Sequence, residues 1–230
     1  MKTIGLIGGI SSEATAIYYR EINAGVRARL GGFNSARMVI QSMNFAEYNG
    51  AHETRDWPFI RSGFDTAARA LEQGGADVIA LACNTLHTVA DSISGATTRP
   101  FLHIVDCCAE RLLADGRQRP ALLGTAFTMS EPYFPDRLAE VSGLAPLRPD
   151  PEAQAELSRI IFHELTLGEV RPESRDIYIA EVERLAARGA DSLILGCTEL
   201  GMLLGPETSP LPVYDTALIH CEALVDYALA

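Results

Sequence analysis

Gly75-Ala76-Asp77-Val78-Ile79-Ala80-Leu81-Ala82-Cys83-Asn84-Thr85 returns in the second half of the chain as Gly189-Ala190-Asp191-Ser192-Leu193-Ile194-Leu195-Gly196-Cys197-Thr198-Glu199. Glycine, alanine and aspartate repeat at the head, Leu81 and Leu195 in the middle, Cys83 and Cys197 at the end. A short apolar run, entered through glycine and left through polar residues, reads as a strand buried on both faces, as in a parallel sheet. A second echo pairs Leu6-Ile7-Gly8-Gly9 with Leu122-Leu123-Gly124-Thr125 at nearly the same spacing. Two half-chains of one topology account for both echoes, and each half is too long to be a solenoid unit.

Outward from that repeat, strand-length apolar runs alternate with helical patterns, the signature of an α/β protein with parallel sheets. Strands are expected at Thr3–Ile7, Met38–Ser42, Val78–Ala82, Pro100–Val105, Ala121–Leu123, Ser192–Leu195 and Leu211–Tyr214. Helices are expected over Glu13–Leu30 (capped by Ser11 or Ser12), Pro58–Gln73, Thr85–Ile93, a stretch ending at Leu113, Pro132–Val141, Glu152–Leu167, Glu173–Arg188 and Thr216–Leu229. Asn44–Arg55 reads as a polar loop. The expected division is residues 1–98 with 215–230, carrying Cys83, against residues 99–214, carrying Cys197.

The 230 residues carry 19 basic against 30 acidic groups, a formal charge of −11. That balance argues against a nucleic acid or an anionic membrane surface as partner. No apolar run reaches the ~18 residues of a membrane span, and the start lacks the pattern of a signal peptide. A cytoplasmic protein acting on a small molecule is the expectation. Lys2 is the only lysine, a poor place for a buried imine, so pyridoxal phosphate chemistry is not expected. Five cysteines, an odd number without a CxxC pair, suggest neither a disulfide framework nor a zinc site. Gly5-Leu6-Ile7-Gly8-Gly9 is not GxGxxG in register, and close backbone approach to a small ligand explains it better than a dinucleotide. No cofactor and no metal are expected.

Each repeated cysteine stands after an apolar strand and before a helix, at the sheet edge where α/β proteins bind ligands. A helix N-terminus there would lower the thiol pKa. If the halves face each other, the two sulfurs could address one cleft from opposite sides. Two acid/base groups on opposite faces of a carbon are what stereoinversion requires: one thiolate takes the Cα proton and the opposite thiol supplies another. Asn84, Thr85 and Thr198 offer donors for an α-carboxylate, and Thr125 and Thr128 lie past the equivalent strand of the second half. His87, a helical turn past Cys83, and Glu199, two residues past Cys197, are placed to polarise a thiol or carry a proton. Ile10 and Ser11 stand at the rim, with Leu86 beside the first cysteine. The Asn44–Arg55 segment, with Glu47, Tyr48, His52 and Arg55, either meets the substrate side chain or is simply solvated.

These residues resemble the aspartate/glutamate racemase superfamily, the amino-acid racemases that work without pyridoxal phosphate. Ala82-Cys83-Asn84-Thr85 with His87, and Gly196-Cys197-Thr198-Glu199, are similar to its two cysteine motifs. Gly8-Gly9-Ile10-Ser11 with Glu13 and Thr15 resembles its N-terminal segment, and Leu123-Gly124-Thr125 with Thr128 its mid-chain segment. The resemblance implies two pseudo-symmetric domains, each a parallel-sheet three-layer α/β/α sandwich with the active site in the cleft between them. It also implies a homodimer and a two-thiol mechanism. Catalysis would fall to Cys83, Cys197, Glu199 and His87, and substrate binding to the rim and motif residues above, His52 among them. Aspartate-specific members hold the distal carboxylate with cationic side chains; here position 48 is Tyr, Glu164–Leu167 lacks a lysine, and Arg55 is the candidate replacement. A diacid isomerase or decarboxylase using one covalent cysteine, and a non-catalytic binding protein, are the competing classes.

Overall fold

In the computed structural model, which describes residues Met1–Ala230, six strands form two parallel three-stranded sheets. β1 (Thr3–Gly8), β2 (Arg37–Ser42) and β3 (Val78–Leu81) run in the order β2-β1-β3; β4 (Pro120–Gly124), β5 (Ser192–Gly196) and β6 (Val213–Asp215) run in the order β4-β5-β6. The fold is α/β in two domains. The compact units are Met1–Ile104 with His220–Ala230, and Val105–Ile219.

The register follows the sequence echoes. Ile7 pairs with Leu81 in one sheet and Leu123 with Leu195 in the other. A single parallel bridge extends each sheet, Phe101 beside Ile79 and Leu147 beside Ala121. Each sheet therefore has four positions with one reduced to a bridge. Phe101 stands where β6 stands in the other unit, and Leu147 where β2 does. The strand expected at Pro100–Val105 is thus not a strand. Its hydrogen bonds end with Ile79 N–H to Pro100 O and Leu102 N–H to Ile79 O, because helix α5 (Ile104–Ala114) already begins at Ile104.

The repeated Gly-Ala-Asp head is architecture rather than chemistry. Gly75 (φ 87°) and Gly189 (φ 93°) turn the chain in the left-handed region, which costs a residue with a Cβ about 1–2 kcal/mol. Asp77 Oδ2 accepts the Thr3 N–H at 2.7 Å. In the other unit Asp191 Oδ2 accepts the N–H groups of Gln118 at 2.7 Å and Arg119 at 3.1 Å. Each aspartate thereby ties the entry of one strand to the start of its neighbour. A Cβ on Gly75 would meet open space, so Gly75→Ala isolates the backbone strain. The expected loss is about 1–2 kcal/mol in urea unfolding followed at Trp57, the sole tryptophan, which lies in the same unit.

Helix α1 (Ser12–Leu30) starts at Ser11, whose hydroxyl accepts the Ala14 N–H at 3.1 Å, and buries Tyr18, Ile22 and Val26. Helix α3 (Trp57–Gln73) sets Ile60, Phe64, Ala67 and Leu71 into one core with Ile7, Ile79 and Leu81. Between β2 and α3 the expected polar loop is instead helix α2 (Phe45–Glu53). Its apolar residues Phe45, Tyr48 and Ala51 are three apart, a stripe thin enough to pass for a loop, and Asn44 caps it by accepting the Ala46 N–H at 3.3 Å. After β3 come a 3-10 stretch, Thr85–Val89, and α4 (Ala90–Ala96).

In the second unit α6 (Ala126–Ser130), which no sequence signal announced, precedes α7 (Tyr133–Ser142). Helices α8 (Pro151–His163) and α9 (Pro172–Ala187) bury Leu157, Ile160, Tyr178, Val182 and Leu185. Helix α10 (Thr216–Leu229) begins in the second unit and belongs to the first from His220 on. There the Lys2 N–H donates to Ala228 O at 2.8 Å. No helix is long and apolar enough to cross a membrane.

Candidate active site

Two carboxyl sheet edges, one in each unit, carry the residues of interest. In the first unit β1 ends in Gly8-Gly9, and Gly9 (φ 80°) makes the turn that brings the chain to the cap of α1. Thr15 fastens it: its hydroxyl accepts the Gly9 N–H at 2.7 Å and donates to Ser11 O at 3.0 Å. A Cβ on Gly8 would stand 2.7 Å from Thr15, and one on Gly9 would collide with the Met43 backbone. The glycines are therefore required by the turn itself. Ile10 and Ser11 are buried at its end.

β3 delivers Cys83, two residues past its last ladder position, into a buried place in the same core cluster as Ile10 and Leu86. Asn84 is buried and Thr85 half-buried. His87 is buried and hydrogen-bonded at both ring nitrogens. Its Nδ1–H donates to the Cys83 carbonyl at 2.6 Å, and its Nε2 accepts the Ile104 N–H at 3.3 Å. Both ring nitrogens serve the backbone, which fixes a neutral tautomer. His52 lies on the last turn of α2 with its ring edge-on to Trp57 at 5.8 Å. Tyr48 is packed between Phe59 and Phe64, with its hydroxyl pKa raised by burial and then by Glu47. Arg55, exposed at the end of that helix, is the one non-glycine residue with positive φ, at 54°.

In the second unit β5 delivers Cys197, also buried, next to Thr198 and Glu199. The Cys197 thiol donates to Glu199 Oε2 at 3.0 Å, and the Thr198 hydroxyl donates to the same oxygen at 2.7 Å. The carboxylate is oriented by one residue and holds the proton of the other. At the end of neighbouring β4, Thr125 caps α6: its hydroxyl accepts the Thr128 N–H at 3.1 Å and lies 3.0 Å from the Thr128 hydroxyl. Thr128 in turn meets the Tyr133 hydroxyl at 2.9 Å. Gly124 and Gly196 pair across the two strands; a Cβ on Gly196 would stand 2.8 Å from Leu122 and one on Gly124 2.9 Å from Gly196 O.

One expectation about the thiols changes. No long α-helix follows either cysteine, only the 3-10 stretch after Cys83 and the 3-10 turn Leu200–Met202 after Cys197. The helix dipole is therefore a minor influence, and side chains and burial set the thiol environments. Two residues escaped the sequence reading, Tyr133 and the fully buried Tyr178. Tyr178 donates to Leu157 O at 2.9 Å, and its pKa is raised well above the ordinary value by burial and next by the charge of Cys197. Spacing could not reveal Tyr178, because α9 reaches that strand end only through tertiary packing. The other cysteines stay outside this chemistry. Burial, then the charges of Glu110 and Asp106, push the Cys107 thiol up to about 12, and complete burial raises Cys108 as well.

The sequence matches the Asp/Glu/hydantoin racemase family over residues 7–224. The chain belongs to that family. This racemase-family chain is an isomerase. It is similar over the full length of both chains to a Yersinia pestis protein assigned provisionally as an Asp/Glu racemase, with 40% identity and a TM-score of 0.93. An aspartate racemase homologue from Pyrococcus horikoshii OT3 also covers 100% of both chains, with 33% identity and a TM-score of 0.88. The broad-specificity amino-acid racemase RacX of Bacillus subtilis (strain 168) is 24% identical over 99% of this racemase and 98% of its own length.

Proposed function

We propose that this enzyme inverts the α-carbon of free α-amino acids by a two-base reaction in which Cys83 and Cys197 are the bases. The observation that carries it is the placement of one thiol at the same strand end of each repeated unit, with a carboxylate hydrogen-bonded to one of them. In one direction the first cysteine, as thiolate, removes the Cα proton and becomes a thiol. The electron pair left on carbon delocalises into the α-carboxylate. The second cysteine, as thiol, donates its proton to the opposite face and becomes the thiolate. The products differ from the reactants only in the hand of the amino acid and in which sulfur holds the proton, and the reverse direction exchanges the roles. The carbanion survives only in a site that excludes water and presents fixed donors, the part proposed for Asn84, Thr85 and the backbone N–H of Thr198.

Glu199 holds Cys197 in the thiol form, ready to donate. Glu199→Gln removes the negative charge while keeping the shape. The expected result is a fall in turnover of about 10- to 100-fold. The limb of the pH–rate profile that belongs to Cys197 should also move to lower pH. An unchanged profile would remove Glu199 from the mechanism. His87 is assigned to orientation, in keeping with its two backbone hydrogen bonds.

The apolar surroundings of Cys83, with Ile10 and Leu86, favour an uncharged substrate side chain over a carboxylate. A homodimer is part of the proposal. Chiral chromatography after incubation with single enantiomers of acidic, neutral and basic amino acids tests the assignment. Inversion is expected, with neutral members at least as fast as aspartate. A panel without inversion overturns the proposal and directs attention to diacid isomerisation.

A further inference from the structure

Cys83 lies beyond the support of its sheet. The last backbone bond from that ladder is Ala82 N–H to Ile7 O at 2.9 Å, and the following 3-10 stretch is a weak anchor. A chain of two histidines adds to its hold, His87 on the Cys83 peptide itself and His220 one step further away. His87 donates to the Cys83 carbonyl and accepts the Ile104 N–H. Two residues earlier, the Leu102 carbonyl accepts the Nε2–H of His220 at 3.0 Å, and His220 Nδ1 accepts the Tyr18 hydroxyl at 2.8 Å. His103, between the two anchored residues, packs edge-on to His87 with centroids 4.6 Å apart, and His220 lies 6.2 Å from the His87 ring. His220 is fully buried. Leu102–Ile104 is the last stretch of the first unit before the chain leaves it, and His220 is the first residue on its return.

We propose that His220, braced by Tyr18, is a positioning residue for the Cys83 thiol, acting through Leu102–Ile104 and His87 on the Cys83 peptide. The inference rests on the two-thiol reading for its catalytic meaning. A displacement of about 1 Å at a reacting group can cost on the order of 100-fold in rate. His220→Leu breaks both links of the chain, while in His220→Gln the amide N–H replaces the donor to Leu102.

The test measures, in each full-length variant, the pH profile of iodoacetamide alkylation at Cys83 and at Cys197 by peptide mass spectrometry. It also measures the rate at which solvent deuterium enters Cα of each enantiomer. The equilibrium constant for inversion is unity, so net turnover cannot tell the thiols apart, whereas exchange can. Expected for His220→Leu is a roughly 10- to 100-fold loss of inversion, an altered alkylation profile at Cys83 alone, and exchange surviving for one enantiomer, with most of each effect restored in His220→Gln. Alkylation and inversion as in the parent enzyme overturn the proposal, as does equal disturbance of both cysteines and both enantiomers. Should His220→Leu fail to fold, Tyr18→Phe, which removes only the hydroxyl, is read the same way, and an unshifted Cys83 profile overturns the proposal. If the parent enzyme inverts no amino acid, the two-thiol reading fails, and the alkylation profiles still decide whether His220 positions Cys83.

Discussion

Cys83→Ser and Cys197→Ser each lower inversion by about 10²- to 10⁴-fold, the range that loss of one positioned acid or base commands. A hydroxyl fills the place of the sulfur but is far harder to ionise than a thiol with its ordinary pKa of about 8.5. Each variant should retain partial chemistry of a specific kind. The remaining thiol still removes the proton from the enantiomer it faces, so that enantiomer takes up solvent deuterium without inverting. The two variants should show this for opposite enantiomers. Cys107→Ser serves as the control, since its thiol is held protonated by burial and by neighbouring acids, and its turnover should match that of the parent enzyme. Full racemisation by either serine variant would remove that cysteine from the mechanism.

Acid should weaken the first unit through His220 well before the carboxylates titrate. Burial, and secondarily the nearby His87, lower the His220 pKa from 6.5 to about 3, and Tyr18 and His103 complete the surroundings of this ring pair. A depressed histidine pKa means that the unfolded chain takes up a proton in that window while the native protein does not. Stability from this source is therefore fully present above the unfolded value near pH 6.5 and is lost progressively as pH falls toward 3. The steepest slope is about 1.4 kcal/mol per pH unit, a few kcal/mol in all, enough to change the folded-to-unfolded ratio by on the order of a thousandfold. Urea titrations followed at Trp57 between pH 6.5 and 5 should show this slope in the parent and its loss in His220→Gln. Equal slopes in the two proteins would contradict the assignment.

The repeated segment made much of this architecture legible. Its apolar core is β3 and β5, its glycine and aspartate are the backbone turn and the strand tie, and its cysteines stand at the strand ends where ligands bind. Glu199 was legible because it stands two positions past Cys197, close enough for one turn to fold the carboxylate onto the sulfur. What escaped had no local signal. Helix α2 hides behind a polar composition with a single thin apolar stripe, and α6 is one turn capped by a threonine. The segment around Phe101 has strand composition but only one bridge, because α5 begins immediately afterward. His87 carries the right residue type beside Cys83, yet its backbone partners, one of them seventeen positions away at Ile104, have no signature in the sequence. His220 is remote from Leu102 and Tyr18 in sequence, and only tertiary structure unites them.

The most direct test of the two-thiol account is the fate of the Cα hydrogen at early conversion in D₂O, followed by proton NMR and chiral separation of a substrate found in the amino-acid panel. Two opposed thiols predict deuterium in the product enantiomer while the remaining substrate keeps its protium, starting from either hand. Protium carried over into the product, or deuterium entering substrate as fast as product, would show a single base working on both faces and would contradict the account.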